Sequence, residues 1–190
     1  MKPKAFLFLI GCSLPQRRTE QHDVFLGIGN HVSDCIGAIE QFWWEAKNLH
    51  VDCWREISNV DGFAIEVRPR SENTDEPNER SLYFINMGGY LHGEFEEYHS
   101  KQLFVANDPK SVIKRAKQTL FYKKHGFKGA VAHIDNKYGV DIDEIYPIED
   151  LLNPADKSEY RILVSESPAG RIDTLHLGYT PLNKLKLHKD

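Results

Sequence analysis

Cysteine is scarce in this chain of 190 residues, and Cys12, Cys35 and Cys53 are its only three. Their number is odd, their spacings are wide and no Cys-x-x-Cys pair occurs, so the sequence lacks the pattern of a disulfide framework. We therefore predict three reduced thiols.

Long apolar runs are also missing: no stretch approaches the length of about 18 residues that a membrane span needs. Lys2 and Lys4 before the apolar residues 5–10 resemble a signal peptide, but the stretch is at or below the usual length of about 7–15 residues. The same kind of stretch recurs inside the chain, where a signal could not operate. We expect a cytoplasmic protein.

Charge of one sign does not dominate, because 24 Lys and Arg stand against 28 Asp and Glu. No cluster of five or six basic residues marks a nucleic-acid surface. Gly-x-Ser-x-Gly, the Walker lysine loop and His-Glu-x-x-His are absent as well. With 41% hydrophobic residues the composition is that of an ordinary globular protein.

An internal repeat is the main positive feature. Residues 5–67 align with residues 82–144 at a constant shift of 77 positions and without a gap. The alignment contains 13 identities in 63 positions, where unrelated sequences give roughly four. Among them Gly11 falls on Gly88, Glu20 on Glu97 and His22 on His99.

Each copy has the pattern of strand, loop, strand, helix and two further strands. The nearly continuous apolar first strands, at 6–10 and 82–87, are typical of the centre of a sheet. We predict helices at 32–46 and 110–123, the second with Asp108 as its N-cap. The fold class is α+β, with tandem ββαββ-type units, mainly antiparallel sheet and helices on one face. A C-terminal hairpin is predicted from strands at 160–165 and 171–177.

The predicted division of the chain follows from the repeat. It gives a first unit at 1–68, a linker at 69–80, a second unit at 81–152, and a C-terminal hairpin and tail at 153–190. We expect the two units to pack as one compact domain.

The Gly-rich strand end, the Glu-x-His element and the late Asp-Gly turn resemble the bacterial family called domain of unknown function 1543, as a two-copy member. The motif positions are Gly11, Glu20, His22, Asp61 and Gly62, with Gly88, Glu97, His99 and Gly139. The resemblance covers about residues 5–150 and implies a bacterial source, but no activity. The second copy has Ser100 in place of Asp23 and Tyr138 in place of Asp61.

The two Glu-x-His pairs are the sharpest candidate site. Residues i and i+2 of an extended segment point to the same face, so the carboxylate and imidazole project together. If the two loops converge, Glu20, His22, Glu97 and His99 form a mixed N/O set that suits zinc, manganese or iron. The alternative is that each pair only ties its own loop to the backbone.

Arg17 and Arg18 lie in the first loop, beside Glu20, His22 and Asp23, and two guanidinium groups could clamp a small anionic ligand. Ion pairs with the acidic second loop, which carries Glu94, are the other interpretation. His133 and Asp135 form a further i, i+2 pair, which we interpret as a strand-end surface pair.

We predict a ligand-binding or regulatory protein with a cleft between the two repeats. An acid–base or metal-assisted hydrolase using the Glu-x-His loops is the alternative. A protein-interaction module, with homodimer formation through strand edges, is the third hypothesis. A divalent metal is the only cofactor for which the sequence gives an argument.

Overall fold

A computed structural model describes residues 2–72, 79–134, 145–167 and 172–186 of the chain. The chain divides into two compact units: unit 1 comprises residues 1–76 and 149–190, and unit 2 comprises residues 77–148. The predicted turn at 135–139 and strand at 140–145 lie almost wholly outside the described residues. Every strand pair in the described part of the chain is antiparallel, which confirms the α+β, mainly antiparallel class.

Unit 1 contains two sheets. The first has the strand order β11-β3-β1-β2 and the second has the order β10-β5-β4. The strands are β1 (Lys4–Ser13), β2 (Gln21–Gly29), β3 (Lys47–Glu56), β4 (Asn59–Val60), β5 (Phe63–Pro69), β10 (Tyr160–Glu166) and β11 (His176–Pro181). The α-helices are α1 (Ile36–Phe42), α4 (Pro154–Glu159) and α5 (Leu182–Leu185), with a 3-10 turn at Val32–Cys35. A second 3-10 turn, Ile148–Leu151, begins at the last residue of unit 2 and continues into unit 1.

Strand β1 lies between β2 and β3, as its continuous apolar sequence predicts. Phe6, Phe8 and Ile10 are almost completely buried on one face of it. The helical residues Val32, Cys35, Ile36 and Ile39 complete that core, with Trp43 packed against it.

The helix predicted at 32–46 is shorter in the structure. It begins with the 3-10 turn at Val32–Cys35, continues as α1 and ends at Phe42, because Trp43 leaves the helical region with φ −126° and ψ 55°. Lys47 then begins β3. The apolar stripe was therefore identified correctly, but its last turn was not helical.

The predicted C-terminal hairpin is wrong. Strand β10 pairs with β5, from Tyr160 opposite Pro69 to Glu166 opposite Phe63. Strand β11 instead pairs with β3 in the other sheet. The backbone N–H and C=O groups of β10 and β11 form hydrogen bonds with strands of the first repeat. The C-terminal segment therefore completes unit 1.

Unit 2 has one sheet with the order β7-β6-β8, and β9 also pairs with β6. Its elements are β6 (Ser81–Gly89), β7 (Tyr98–Ala106), α2 (Pro109–Ala116), α3 (Leu120–Lys124), β8 (His133–Ile134) and β9 (Tyr146–Pro147). Asp108 caps α2 by accepting from the Ser111 backbone N–H, as predicted. The single helix predicted at 110–123 is divided into α2 and α3. Thr119 is the N-cap of α3, and its hydroxyl accepts a hydrogen bond from the Tyr122 backbone N–H.

The register of the third strand corrects the ungapped alignment. In unit 1, Gly11 pairs with His50 across β1 and β3. In unit 2, the equivalent Gly88 pairs with His133 across β6 and β8. His133 therefore matches His50 at a shift of 83 positions rather than 77, and it does not match Glu56.

Among the helices of the described residues, none is both long and apolar enough to cross a membrane.

Candidate functional site

Gly11 lies at the centre of the candidate site in unit 1. Its neighbour in β2 is His22 and its neighbour in β3 is His50. Since directly paired residues of adjacent strands point to the same face, both imidazoles flank the position where Gly11 has no side chain. A Cβ atom there would lie 2.5 Å from His50 Nε2 and 2.9 Å from Asp52 Oδ2. The space that a side chain at position 11 would need is thus filled by the His50 imidazole and the Asp52 carboxylate.

Asp52 lies two residues after His50 in β3, on the same side of the sheet, at the position of a β-bulge. Ile10 pairs with Val51 and Leu9 pairs with Cys53, which leaves Asp52 as the extra residue of β3. Bulges of this kind re-aim a side chain relative to a regular strand.

The site consists of four side chains from unit 1, Glu20, His22, His50 and Asp52, which we call the quartet. His22 Nε2 lies 3.5 Å from Glu20 Oε2 and 3.2 Å from Asp52 Oδ2. His50 Nε2 lies 3.3 Å from Glu20 Oε1 and 3.4 Å from Asp52 Oδ1. Each carboxylate therefore turns one oxygen toward each imidazole, and the four groups form a closed ring.

His50 is the buried and fixed member of the quartet, with a side chain only 2% exposed. Its Nδ1 lies 2.8 Å from the Asn48 carbonyl oxygen. Because a carbonyl only accepts, Nδ1 must carry the proton. Tyr179 of β11 covers the ring at a centroid distance of 4.2 Å. His50 Nε2 and Asp52 Oδ2 are buried without a hydrogen-bond partner among the described residues.

The other members of the quartet are open to solvent. The side chains of His22, Glu20 and Asp52 are 42%, 46% and 26% exposed. Cys12 lies nearby, but burial raises the pKa of its thiol and the Glu20 carboxylate raises it further. Cys12 is therefore protonated at neutral pH and does not offer a thiolate to the site.

Unit 2 has a related cluster around Gly88. Its paired neighbours are His99 in β7 and His133 in β8. His133 Nε2 lies 3.2 Å from Glu97 Oε1, and His133 Nδ1 lies 3.3 Å from the carbonyl oxygen two residues earlier, as in His50. Tyr90 donates to Glu97 Oε1 at 2.7 Å. Asp135, which follows His133 as Asp52 follows His50, lies outside the described residues.

The remaining predicted site residues are not members of the quartet. Arg17 and Arg18 are exposed in the loop between β1 and β2. Asp23 is exposed and accepts from the Val24 backbone N–H at 2.7 Å. Glu94 accepts a hydrogen bond from Tyr98. The shared cleft formed by both Glu-x-His loops stays a prediction, as does the role of the arginines.

Sequence reasoning missed His50 and Asp52. The signal was a His-x-Asp pair, present at 50–52 and again at 133–135, but it is offset from the 77-residue shift by six positions. The ungapped alignment placed His133 opposite Glu56 and so concealed the match. Among the described residues, no group of three or more His, Cys, Asp or Glu side chains has the arrangement needed to hold a metal ion.

Comparison with known proteins agrees with the resemblance seen in the sequence. No curated protein matches the chain. The crystal structure of a protein Il1583 from Idiomarina loihiensis matches with a TM-score of 0.52 and 23% identity, covering 95% of this chain and 97% of that chain, and this likeness shows the fold alone. Residues 17–67 match the family described as Domain of Unknown Function (DUF1543), and this segment includes the whole quartet. The match over residues 17–67 supports the resemblance of this segment to the DUF1543 family.

Proposed function

We propose that the protein is a ligand-binding protein and that the quartet of unit 1 binds a small cation. The observation that carries the proposal is the buried His50, whose Nε2 faces two carboxylates without a hydrogen bond among the described residues.

The electrostatics favour a cation over an anion. When both imidazoles are neutral, the quartet carries two negative charges, from Glu20 and Asp52, and no positive charge. The lone pair on His50 Nε2 then faces the oxygens of Glu20 and Asp52, which repel it. A cation between these groups converts the repulsion into attraction. The same two carboxylates disfavour an anionic ligand at this point.

The burial gradient also suits binding. His50 is fixed by Asn48 and Tyr179, whereas Glu20 and His22 are nearly half exposed and remain accessible. A buried inner group with exposed outer groups lets a ligand reach the site from solvent. This location is inside unit 1 and does not require the shared cleft expected from the repeat.

The test is binding of a panel of cations, comprising Mg²⁺, Ca²⁺, Mn²⁺, Co²⁺, Zn²⁺ and spermidine, measured by calorimetry and by thermal unfolding. A ligand at 100 times its dissociation constant adds about 2.7 kcal/mol to the free energy of unfolding. We expect the double variant Glu20→Gln plus Asp52→Asn to abolish the effect. Glu40→Gln, on the exposed face of α1, is the matched control and should keep it. Absence of binding by every cation in the panel would refute the proposal.

A second candidate function is acid–base hydrolysis at the same quartet. It is favoured by His22, which contacts both carboxylates and is exposed enough to exchange a proton with a substrate. Hydrolysis of p-nitrophenyl acetate and p-nitrophenyl phosphate by wild type, His22→Ala and the control His92→Ala tests it. Activity that is lost only in His22→Ala supports the hydrolase, and equal rates in all three proteins exclude hydrolysis of these substrates at the quartet.

A further inference from the structure

We propose that the cation bound by the quartet is a four-coordinate divalent transition metal of the zinc class. Its ligands are Nε2 of His22, Nε2 of His50, and one oxygen each from Glu20 and Asp52. This inference rests on the proposed function and specifies its ligand.

The spacing of the donors carries the argument. The four imidazole-to-carboxylate contacts are 3.5, 3.2, 3.3 and 3.4 Å. Charge-assisted N–H···O hydrogen bonds are shorter, about 2.7–2.9 Å. Tetrahedral zinc with ligand bonds of about 2.0–2.2 Å requires neighbouring ligand atoms to be about 3.3–3.6 Å apart. Each contact therefore has the length of one edge of a zinc tetrahedron rather than of a strong hydrogen bond, while the two contacts of each carboxylate run to different oxygens.

The outer contacts of His50 fit a metal ligand. Histidine ligands donate their second ring N–H to a carbonyl or carboxylate, which fixes the ring and leaves the other nitrogen available. His50 does this through Nδ1 and the Asn48 carbonyl. Asn48 has a positive φ of 54°, in the left-handed region that asparagine tolerates better than most residues. The backbone thus holds its carbonyl against the imidazole and directs Nε2 toward the ring of donors.

The donor types select the metal. Two imidazole nitrogens and two carboxylate oxygens suit zinc, cobalt(II) and related ions. Calcium prefers six to eight oxygen ligands, and magnesium prefers an octahedral shell of oxygens and water. Half of the donors in the quartet are imidazole nitrogens, which neither ion prefers.

The quartet has to close before it holds the metal. Each carboxylate points one oxygen at each imidazole. In this arrangement no group of three or more His, Cys, Asp or Glu side chains among the described residues is placed to hold a metal ion. Glu20 and His22 are the most exposed members, and rotation of these two side chains moves their donors toward His50 and Asp52. His50, the buried member, stays in place.

The test is titration of the purified protein with Co²⁺, followed by visible absorption, and then competition with Zn²⁺, Mg²⁺ and Ca²⁺. Four-coordinate cobalt(II) absorbs strongly in the visible, whereas six-coordinate cobalt(II) absorbs weakly. We expect strong bands at one equivalent that Zn²⁺ removes and that a large excess of Mg²⁺ or Ca²⁺ leaves unchanged.

Variants assign the bands to the quartet. His22→Ala, at an exposed position that should not affect folding, is expected to weaken Co²⁺ binding by more than about tenfold. His50→Ala is expected to do the same, with circular dichroism as the check on folding. His92→Ala is the control and should keep wild-type bands. Weak six-coordinate bands, or preference for Ca²⁺ or Mg²⁺, would overturn the zinc-class assignment and leave cation binding standing. No bands and no binding of any cation would overturn both proposals.

Discussion

Gly11 shows at the scale of single residues how a position without a side chain creates a site. It lies between two paired histidines, and the space that a Cβ atom would occupy is taken by His50 Nε2 and Asp52 Oδ2. The glycine requirement comes from this close approach of neighbouring side chains.

The variant Gly11→Ala should therefore damage the quartet. The new methyl group would contact His50 and Asp52 at less than van der Waals distance, so we expect a loss of about 1–3 kcal/mol in the free energy of unfolding and weakened cation binding. Urea unfolding and calorimetry measure the two effects. Gly37→Ala is the matched control, because its Cβ meets nothing within 4 Å and alanine favours the α1 helix. Equal behaviour of the two variants would contradict the packing around Gly11.

Cys35 provides a second prediction at this scale. Burial raises the pKa of its thiol to about 12, with Asp156 and Asp34 adding to the effect. The thiol is thus protonated and shielded, and we expect iodoacetamide at pH 8 to modify Cys35 far more slowly in the folded protein than in urea. Because the folded pKa is raised, the contribution of Cys35 to stability is complete below the ordinary value of 9.0 and is lost as the pH rises toward 12. Mass spectrometry of the alkylated peptides measures the rate of Cys35 modification. Equal rates with and without urea would show that Cys35 is accessible in the folded protein.

At the scale of elements, the strand β11 connects the C-terminal segment to the quartet. It pairs with β3, the strand that carries His50 and Asp52, and its Tyr179 covers the His50 ring. Asp173, three residues before β11, anchors it by accepting from Arg55 Nη2, from the Ser58 hydroxyl and from two backbone N–H groups. The side chain of Asp173 is only 4% exposed.

Removal of this anchor should loosen β11. Asp173→Ala leaves Arg55 and the Ser58 backbone without their acceptor, so we expect a loss of about 2 kcal/mol in the free energy of unfolding and weaker cation binding through the less ordered Tyr179. The control is Asp23→Asn, at an exposed carboxylate that accepts a hydrogen bond from the backbone N–H of its neighbour Val24. Urea unfolding compares the two, and a stable Asp173→Ala variant with unchanged affinity would show that β11 is held by its ladder alone.

At the scale of the whole molecule, both units place a glycine of the central strand between two histidines, with a glutamate in contact with the third-strand histidine. The detailed contacts differ. In unit 2, the Tyr90 hydroxyl donates a hydrogen bond to the Glu97 carboxylate. In unit 1, the Glu20 carboxylate contacts both imidazoles. The two units therefore share the arrangement of a glycine between two histidines, but they need not bind a cation with the same affinity.

This organisation predicts that the unit 1 site works without the second Glu-x-His pair. His99→Ala should leave the cation affinity of the quartet unchanged, because all four proposed ligands come from unit 1. Calorimetry with the cation that wild type binds, alongside His22→Ala, provides the measurement. A matching loss in His99→Ala and His22→Ala would instead support a site shared by both repeats.

Much of the local structure could be predicted from the sequence because its causes are local. The apolar β1 is central, Asp108 caps α2, and Glu20 meets His22 two residues later in the chain. The prediction failed where distant segments choose their partners, at the C-terminal strands and at the third strand of unit 2.

The sequence by itself determined the α+β class, the repeated order of elements and half of the quartet, since hydrophobic periodicity, capping and i, i+2 spacing act over a few residues. Only the tertiary structure decided that His50 and Asp52 complete it. Strand register and the bulge at Asp52 depend on pairing between residues far apart in the chain, and a slip of one position would turn every side chain of β3 to the opposite face. That long-range pairing is what places both histidines beside Gly11.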